Sequence, residues 1–127
     1  PVIAGLFGVA VALGTLARAT TGLEALLARA SSWEIAALGA LGSNLINNLP
    51  AAVLLSSWHA PHRVALLVGL NLGPNLAVSG ALSAVLWLRV ARTADAEPSA
   101  KTYSKLGVVL VPLSMAAALA ATWLVRR

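Results

Sequence analysis

Hydrophobic residues fill four long stretches of this chain, and the charged residues are confined to the segments between them and the C-terminus. The uncharged runs are Pro1 to Ala17, Ile35 to Trp58, Val64 to Leu88 and Leu106 to Val125. Runs near 20 residues match a hydrocarbon core roughly 30 Å thick, because an α-helix rises about 1.5 Å per residue. The pattern predicts an all-α integral membrane protein.

Two polar, helix-breaking segments interrupt the second and third runs. They are Ser43 to Pro50 and Asn71 to Asn75. A bilayer core has no water for exposed backbone, so such breaks persist only where protein or a water-filled cavity satisfies the freed groups. Paired breaks of this kind mark a transporter's binding site, and each buried amide requires partners. The candidate substrate-binding residues are Asn44, Asn47, Asn48, Asn71, Gly73, Pro74 and Asn75, followed by Ser79 and Ser83.

The second run, Ile35 to Trp58, has two interpretations. Its break leaves about ten residues on either side, or roughly 15 Å of helix, which suits a re-entrant hairpin. A broken helix that crosses completely is the alternative. Full crossing divides the nine Lys and Arg residues six to three between the two faces, whereas the hairpin divides them five to four. The positive-inside rule therefore favours the full crossing.

The connecting segments carry the charge and the interfacial aromatic residues. Thr20 to Glu34 is interpreted either as a short interfacial helix or as a loop. Arg89 to Lys105 is predicted to be a hydrophilic cytoplasmic loop because it carries four basic and two acidic residues. The four Trp residues lie at or near the ends of apolar runs, where indole rings anchor helices at the interface.

Composition agrees with a membrane protein and offers little for catalysis. The chain is 59% hydrophobic and only 10% charged, and its net charge of +5 lies in loops and at the C-terminus rather than in a nucleic-acid-binding stripe. It has no Cys, and no acid lies within an apolar run. His59 and His62 flank Pro61 without a third ligand. We therefore expect no enzyme activity, no cofactor, no metal site and no nucleic-acid partner.

Three segments in order resemble the C-terminal part of the arsenite efflux permease family within the ion transporter superfamily. They are Gly42 to Ala51 (GSNLINNLPA), Val68 to Asn75 (VGLNLGPN) and Ser79 to Leu88 (SGALSAVLWL). The resemblance covers nearly the whole chain. It implies an inverted-repeat secondary transporter in the cell inner membrane, with residues 1–127 as its C-terminal transmembrane repeat. It also implies a scaffold helix at 1–17, a re-entrant hairpin at 35–58, a discontinuous helix at 64–88 and a closing helix at 106–125.

The resemblance implies efflux of arsenite, antimonite or a similar small inorganic solute, coupled to proton entry. The expected partners are the lipid bilayer, an N-terminal repeat of the same polypeptide or a partner subunit, and a soluble ATPase subunit. Within the same superfamily, a sodium-coupled carboxylate transporter or a sodium/proton antiporter is the alternative. A non-transporting, truncated membrane subunit is a further alternative from another class.

Overall fold

The computed structural model of the chain describes residues 2–19, 25, 27–57 and 61–125. All regular structure in this part of the chain is helical. Six α-helices with both ends in this part are separated by turns and by two short 3₁₀ segments, Gly73–Leu76 and Val78–Gly80. The α-helices are α1 (Val2–Ala19), α2 (Ser32–Ile46), α3 (Asn48–Ser56), α4 (Arg63–Leu72), α5 (Leu82–Thr93) and α6 (Ala100–Val125).

Helix α2 begins with a capping box formed by Ser31 and Glu34. The Ser31 hydroxyl accepts from the Glu34 backbone N–H at 3.4 Å, and the Glu34 carboxylate accepts from the Ser31 backbone N–H at 2.7 Å. These two bonds satisfy N–H groups that have no partner within a first helical turn.

The segment predicted over Thr20 to Glu34 is not helical throughout. Residues 25, 27 and 28 are helical, and the chain leaves helical geometry at 29–31 before α2 begins. Residues 20–24 and 26 lie outside the described part. The two interpretations of this segment, a short helix and a loop, therefore each describe a portion of it.

Helices α2 and α4 lie side by side in the same direction and form the centre of the fold. Small residues line both contact faces, so the two backbones approach closely. A methyl group added at Gly69 would collide with the backbone of Ala36, and one at Gly73 would collide with Ala40. Because the pairs 36/69 and 40/73 advance together, the two helices are parallel.

Helix α3 folds back along α2. A methyl group at Gly42 would lie 3.3 Å from Leu55 Cδ1 and 3.8 Å from Ala51 Cβ. Residues 42 and 55 would be about 20 Å apart in one continuous helix, so the chain reverses at Asn47.

The starts of α2 and α4 also line one groove of about 690 Å³, together with the end of α6.

Helix α6 packs against α4 and against the segment that follows it. Gly107 faces the backbone of Asn75 and Leu76, while Leu119 and Ala120 lie beside Val64 and Ala65 in the groove. Helix α6 is therefore antiparallel to α4. It begins at Ala100, where Ser99 Oγ accepts from the Thr102 N–H at 3.3 Å.

The non-helical connection between α5 and α6 is shorter than the predicted loop from Arg89 to Lys105. Helix α5 continues to Thr93 and helix α6 begins at Ala100, so only residues 94–99 are outside helices. Arg and Lys are good helix formers. The change in charge shows where the chain leaves apolar sequence, and the helices extend past that point.

Large apolar side chains remain exposed over much of the surface. They include Leu45, Phe7 and Val125, whose exposed fractions are 83%, 71% and 87%. Among the described helices, one is long and apolar enough to cross a membrane, namely α6, whose most apolar 18-residue window has a mean hydropathy of 2.2. Only 17% of its most apolar window is buried within the fold, whereas the core helix of a soluble protein is mostly buried.

Candidate binding site at two helix breaks

The first break is a single residue with unusual backbone geometry. Asn47 has φ 73° and ψ 153° and separates α2 from α3. Few residues other than glycine adopt this region, and doing so costs about 1–3 kcal/mol. Pro50 lies in the first turn of α3, where its missing N–H removes no helical bond. The helix restarts at once, with the Ala51 N–H donating to the Asn47 carbonyl at 3.1 Å.

The second break is longer and lies between α4 and α5. The 3₁₀ segment Gly73–Leu76, with Pro74 near its start, is followed by extended backbone at Ala77. The second 3₁₀ segment, Val78–Gly80, is followed by extended backbone at Ala81. Pro74 has no N–H to continue the α-helical ladder, and the carbonyl groups around it become available to other donors.

Asn44 connects the two breaks. Its Nδ2 donates to the Ala40 carbonyl at 2.8 Å and to the Gly73 carbonyl at 2.7 Å. Because both partners are acceptors, the amide nitrogen must face them, and the orientation of the Asn44 side chain is fixed. Helices α2 and α3 form a hairpin that turns at Asn47. Asn44, near this turn, is thereby held against Gly73, the first residue of the second break.

The other end of the Asn44 amide is buried without a partner. No hydrogen bond reaches Asn44 Oδ1 from the described residues. This oxygen lies beside Gly80, where an added methyl group would be 2.8 Å from it and would collide with the Pro74 carbonyl. A buried acceptor without a donor is costly, so this oxygen is a place where a donor group from a solute or water would be stabilised.

The structure brings three of the predicted site residues together and separates the others. Asn44, Gly73 and Pro74 meet where the two breaks contact each other, and we call this contact the junction. Asn71 is exposed and donates to Leu67 of its own helix at 2.8 Å. The remaining predicted residues do not share this contact. Asn47 and Asn48 are half-buried at the turn of the hairpin, while Asn75, Ser79 and Ser83 are exposed.

The amides at the hairpin turn are available for binding. Within the described part of the chain, neither the Asn47 nor the Asn48 side chain makes a hydrogen bond, and Asn47 does not cap α3. Both groups therefore retain two donors and an acceptor. They lie next to the break, but the contact that joins the two breaks is made by Asn44.

Three residues at or beside the two breaks were missed by the sequence reasoning. Ser43 is fully buried, and its hydroxyl donates to the Ala40 carbonyl at 2.8 Å. Gly80 closes over Asn44 Oδ1. The Tyr103 hydroxyl donates to Asn75 Oδ1 at 3.3 Å. Tyr103 is the chain's single Tyr and lies four residues before Gly107, a spacing that indicates one helix face once α6 is known to begin at Ala100.

The chemistry of the junction is that of neutral amides and backbone dipoles. No described ionisable side chain other than the Tyr103 phenol takes part in the hydrogen bonds around the breaks. Within the described residues, no group of three or more His, Cys, Asp or Glu side chains could hold a metal ion. A lowered pKa occurs at Glu34, which lies at the start of α2 and away from both breaks. The backbone N–H of Ser31, followed by the Ser31 hydroxyl, holds the pKa of Glu34 below its usual range.

A cavity of about 350 Å³ lies beside the second break, between it and α6. Its polar lining residues are Asn75, Tyr103 and Ser114, and the rest of the lining is mainly aliphatic.

Comparisons with protein-family models, curated proteins and solved structures return no significant match to this chain.

Proposed function

We propose that this chain forms one membrane-embedded repeat of a secondary transporter that exports a small, uncharged inorganic solute, with arsenite or antimonite as the first candidates. The observation that carries the proposal is the junction of two helix breaks through Asn44, with one unpaired acceptor and nearby free amides. The junction lies in a helical fold whose large apolar side chains are widely exposed. Those exposed side chains require an apolar surrounding.

The donors and acceptors at the junction suit a neutral polyhydroxy solute. Hydroxyl groups can donate to the Asn44 oxygen and accept from the Asn47 and Asn48 amides. Neutral dipoles bind such a solute without trapping a permanent charge, so release remains possible. The fold-back of α3 along α2 supports the proposed re-entrant hairpin, since the starts of α2 and α4 border the same groove. In the full-crossing interpretation those starts face opposite sides of the bilayer.

Proton coupling requires a group that this chain does not supply within its apolar runs. All four acids, Glu24, Glu34, Asp95 and Glu97, lie outside those runs. We therefore propose that a carboxylate elsewhere in the assembly carries the coupling proton. An N-terminal repeat or a partner subunit would contribute this group and close the other side of the cavity.

The test is uptake of radiolabelled arsenite into everted membrane vesicles from cells that lack their own arsenite efflux. The protein is expressed from its complete gene, and the vesicles are energised with a pH gradient. Uptake that stops when an uncoupler dissipates the gradient supports the proposal. Uptake of a dicarboxylate that requires sodium would identify the alternative within the superfamily. Absence of flux for arsenite, antimonite, dicarboxylate and sodium would indicate a non-transporting subunit.

A variant pair tests whether the junction is the binding site. Asn44→Leu removes both the donor to the second break and the unpaired acceptor. It should reduce arsenite uptake by roughly fivefold or more, because one hydrogen bond is worth about 1 kcal/mol. Thr15→Val is the matched control, since Thr15 is exposed on α1 and bonds to the Val11 carbonyl of its own helix. Equal loss of uptake in both variants would contradict a special role for Asn44.

A further inference from the structure

Tyr103 contacts both the second break and the helix that follows it. Its hydroxyl donates to Asn75 Oδ1 at 3.3 Å. Its ring lies 6.2 Å from the Trp87 ring between centroids, with an interplanar angle of 41°. Tilted aromatic pairs at this separation are attractive. One side chain near the start of α6 therefore contacts α5 and the break at the same time.

The backbone of α6 reaches the same segment one turn later. A methyl group at Gly107 would collide with the Asn75 carbonyl oxygen and would lie 2.8 Å from the Leu76 carbonyl oxygen. Within the described residues, the Tyr103 hydroxyl makes the only side-chain hydrogen bond between α6 and the Gly73–Leu76 segment. The segment is thus fixed to α6 by close backbone packing and by one directional bond.

The Leu72 carbonyl and the Tyr103 hydroxyl together orient the Asn75 amide. Asn75 Nδ2 donates to the Leu72 carbonyl at 3.2 Å, while Oδ1 accepts from Tyr103. A phenol hydroxyl on one side and a carbonyl on the other specify one arrangement of the amide. Both Asn75 and Tyr103 border the cavity of about 350 Å³. A solute in that cavity would meet an amide whose geometry is already set.

We propose that Tyr103 is a positioning residue, which fixes the Gly73–Leu76 segment and the Asn75 amide for solute binding. This inference rests on the proposed transport function. Only molecules that hold the segment in the binding geometry can bind the solute. The apparent affinity therefore falls in proportion to the fraction of molecules that keep this geometry. Removing the Tyr103 hydroxyl should therefore weaken solute binding more than it slows the transport step.

Tyr103→Phe tests the inference, because it removes the hydroxyl and keeps the ring beside Trp87. In lipid nanodiscs, the backbone amides of residues 75–77 should exchange hydrogen roughly two- to tenfold faster, which corresponds to one hydrogen bond. In vesicles, the KM for arsenite should rise by a similar factor with a smaller change in the maximal rate. Thr122→Val is the control, since Thr122 lies in the same helix and bonds to the Leu119 carbonyl within it.

The outcomes separate this inference from the proposed function. Unchanged exchange at residues 75–77 in Tyr103→Phe, or equal acceleration in Thr122→Val, overturns the positioning role. An unchanged KM in an active transporter overturns it as well. If the parent protein moves no solute while Tyr103→Phe still accelerates exchange, the proposed function fails, and the structural part of the inference stands.

Discussion

Asn47 has a backbone conformation that residues other than glycine seldom adopt. With φ 73° and ψ 153°, it reverses the chain between α2 and α3. The neighbouring Asn48 has helical geometry as the first residue of α3. The Asn47 backbone therefore forms the turn, whereas the Asn48 backbone belongs to α3, although both side chains are proposed to contact the solute. That difference allows backbone and side-chain roles to be separated by substitution.

Replacing Asn47 by Gly should preserve or raise the free energy of unfolding, because Gly adopts this geometry without steric cost. Replacing it by Ala should change that free energy by less than about 1 kcal/mol, because Ala keeps the Cβ and the Asn47 side chain makes no hydrogen bond within the described residues. Both variants should lose arsenite uptake. Thermal unfolding in detergent and vesicle uptake measure the two effects. Uptake at the parent rate by Asn47→Gly would show that Asn47 serves only the turn.

Replacing Asn48 by Ala should abolish uptake with little change in stability. Its backbone is helical, Ala is a good helix former, and its side chain makes no hydrogen bond within the described residues. Membrane abundance by immunoblot and uptake in vesicles are compared in the same preparation. A parallel fall in abundance and uptake would mean that the amide supports folding.

At the scale of elements, the parallel contact between α2 and α4 sets the position of both breaks. The small residues Ala36, Gly39 and Ala40 face Gly69 and Gly73. This contact brings the end of α2, which carries Asn44, beside the end of α4, where Gly73 begins the second break. A wider separation of the two backbones would take the Asn44 amide out of reach of the Gly73 carbonyl.

Replacing Gly69 by Ala should lower the free energy of unfolding by about 1–3 kcal/mol, the usual cost of overpacking. The added methyl group would collide with the Ala36 backbone, which cannot rotate away as a side chain can. Gly5→Ala is the control, because an added methyl group there meets nothing within 4 Å. It should stabilise α1 slightly through higher helix propensity. Equal unfolding temperatures for the two variants would contradict the close contact.

The capping box at the start of α2 makes the stability of this helix depend on pH. Hydrogen bonds from Ser31 lower the pKa of Glu34, so the carboxylate stabilises the fold above the ordinary glutamate pKa of about 4.3. That contribution is lost as the pH falls through the lowered pKa. Glu34→Gln can still accept from Ser31 and does not titrate. In acid, the unfolding temperature of the parent should fall more steeply than that of Glu34→Gln.

At the scale of the whole molecule, the ends of the helices define two sides. The starts of α2 and α4 and the end of α6 border one groove, with Trp33 and Trp123 among its lining residues. The other side carries the connection between α5 and α6, residues 94–99, because α6 starts there and its far end borders the groove. In a bilayer, the proposed hairpin places the two ends of residues 32–57 on the same side.

Single cysteines can test that arrangement, because the chain has none of its own. Ala28→Cys and Pro61→Cys should react with a membrane-impermeant thiol reagent in intact cells, whereas Ser99→Cys should resist it. All three positions are exposed in the structure. Labelling at only one of positions 28 and 61 would indicate that the second run crosses the membrane completely. Rapid labelling at position 99 would reverse the orientation inferred from the basic residues.

The hydrophobic pattern by itself predicted that the chain is helical, and the Asn, Gly and Pro residues within the runs predicted two interruptions, which the structure narrows to Asn47 in the second run and places at residues 73–81 in the third. Runs such as Val64 to Leu88 contain no charge, and the residues that break them, Pro74 and Asn47, act through their own backbone chemistry. Such local effects need no knowledge of neighbours. The sequence was less informative about helix ends, as the early start of α6 at Ala100 shows, because polarity and helix propensity change at different positions.

Only the tertiary structure decided which polar groups meet. Nothing in the sequence distinguishes Asn44 from the other four Asn residues near the breaks, yet among the described residues it alone donates to a carbonyl of the opposite break. That contact depends on the pairing of Ala36 with Gly69 in the parallel helix pair. Tyr103 likewise reaches Asn75 across 28 residues of sequence. Hydrogen bonds act over about 3 Å, so the packing of small residues, rather than composition, selects the residues that form the junction.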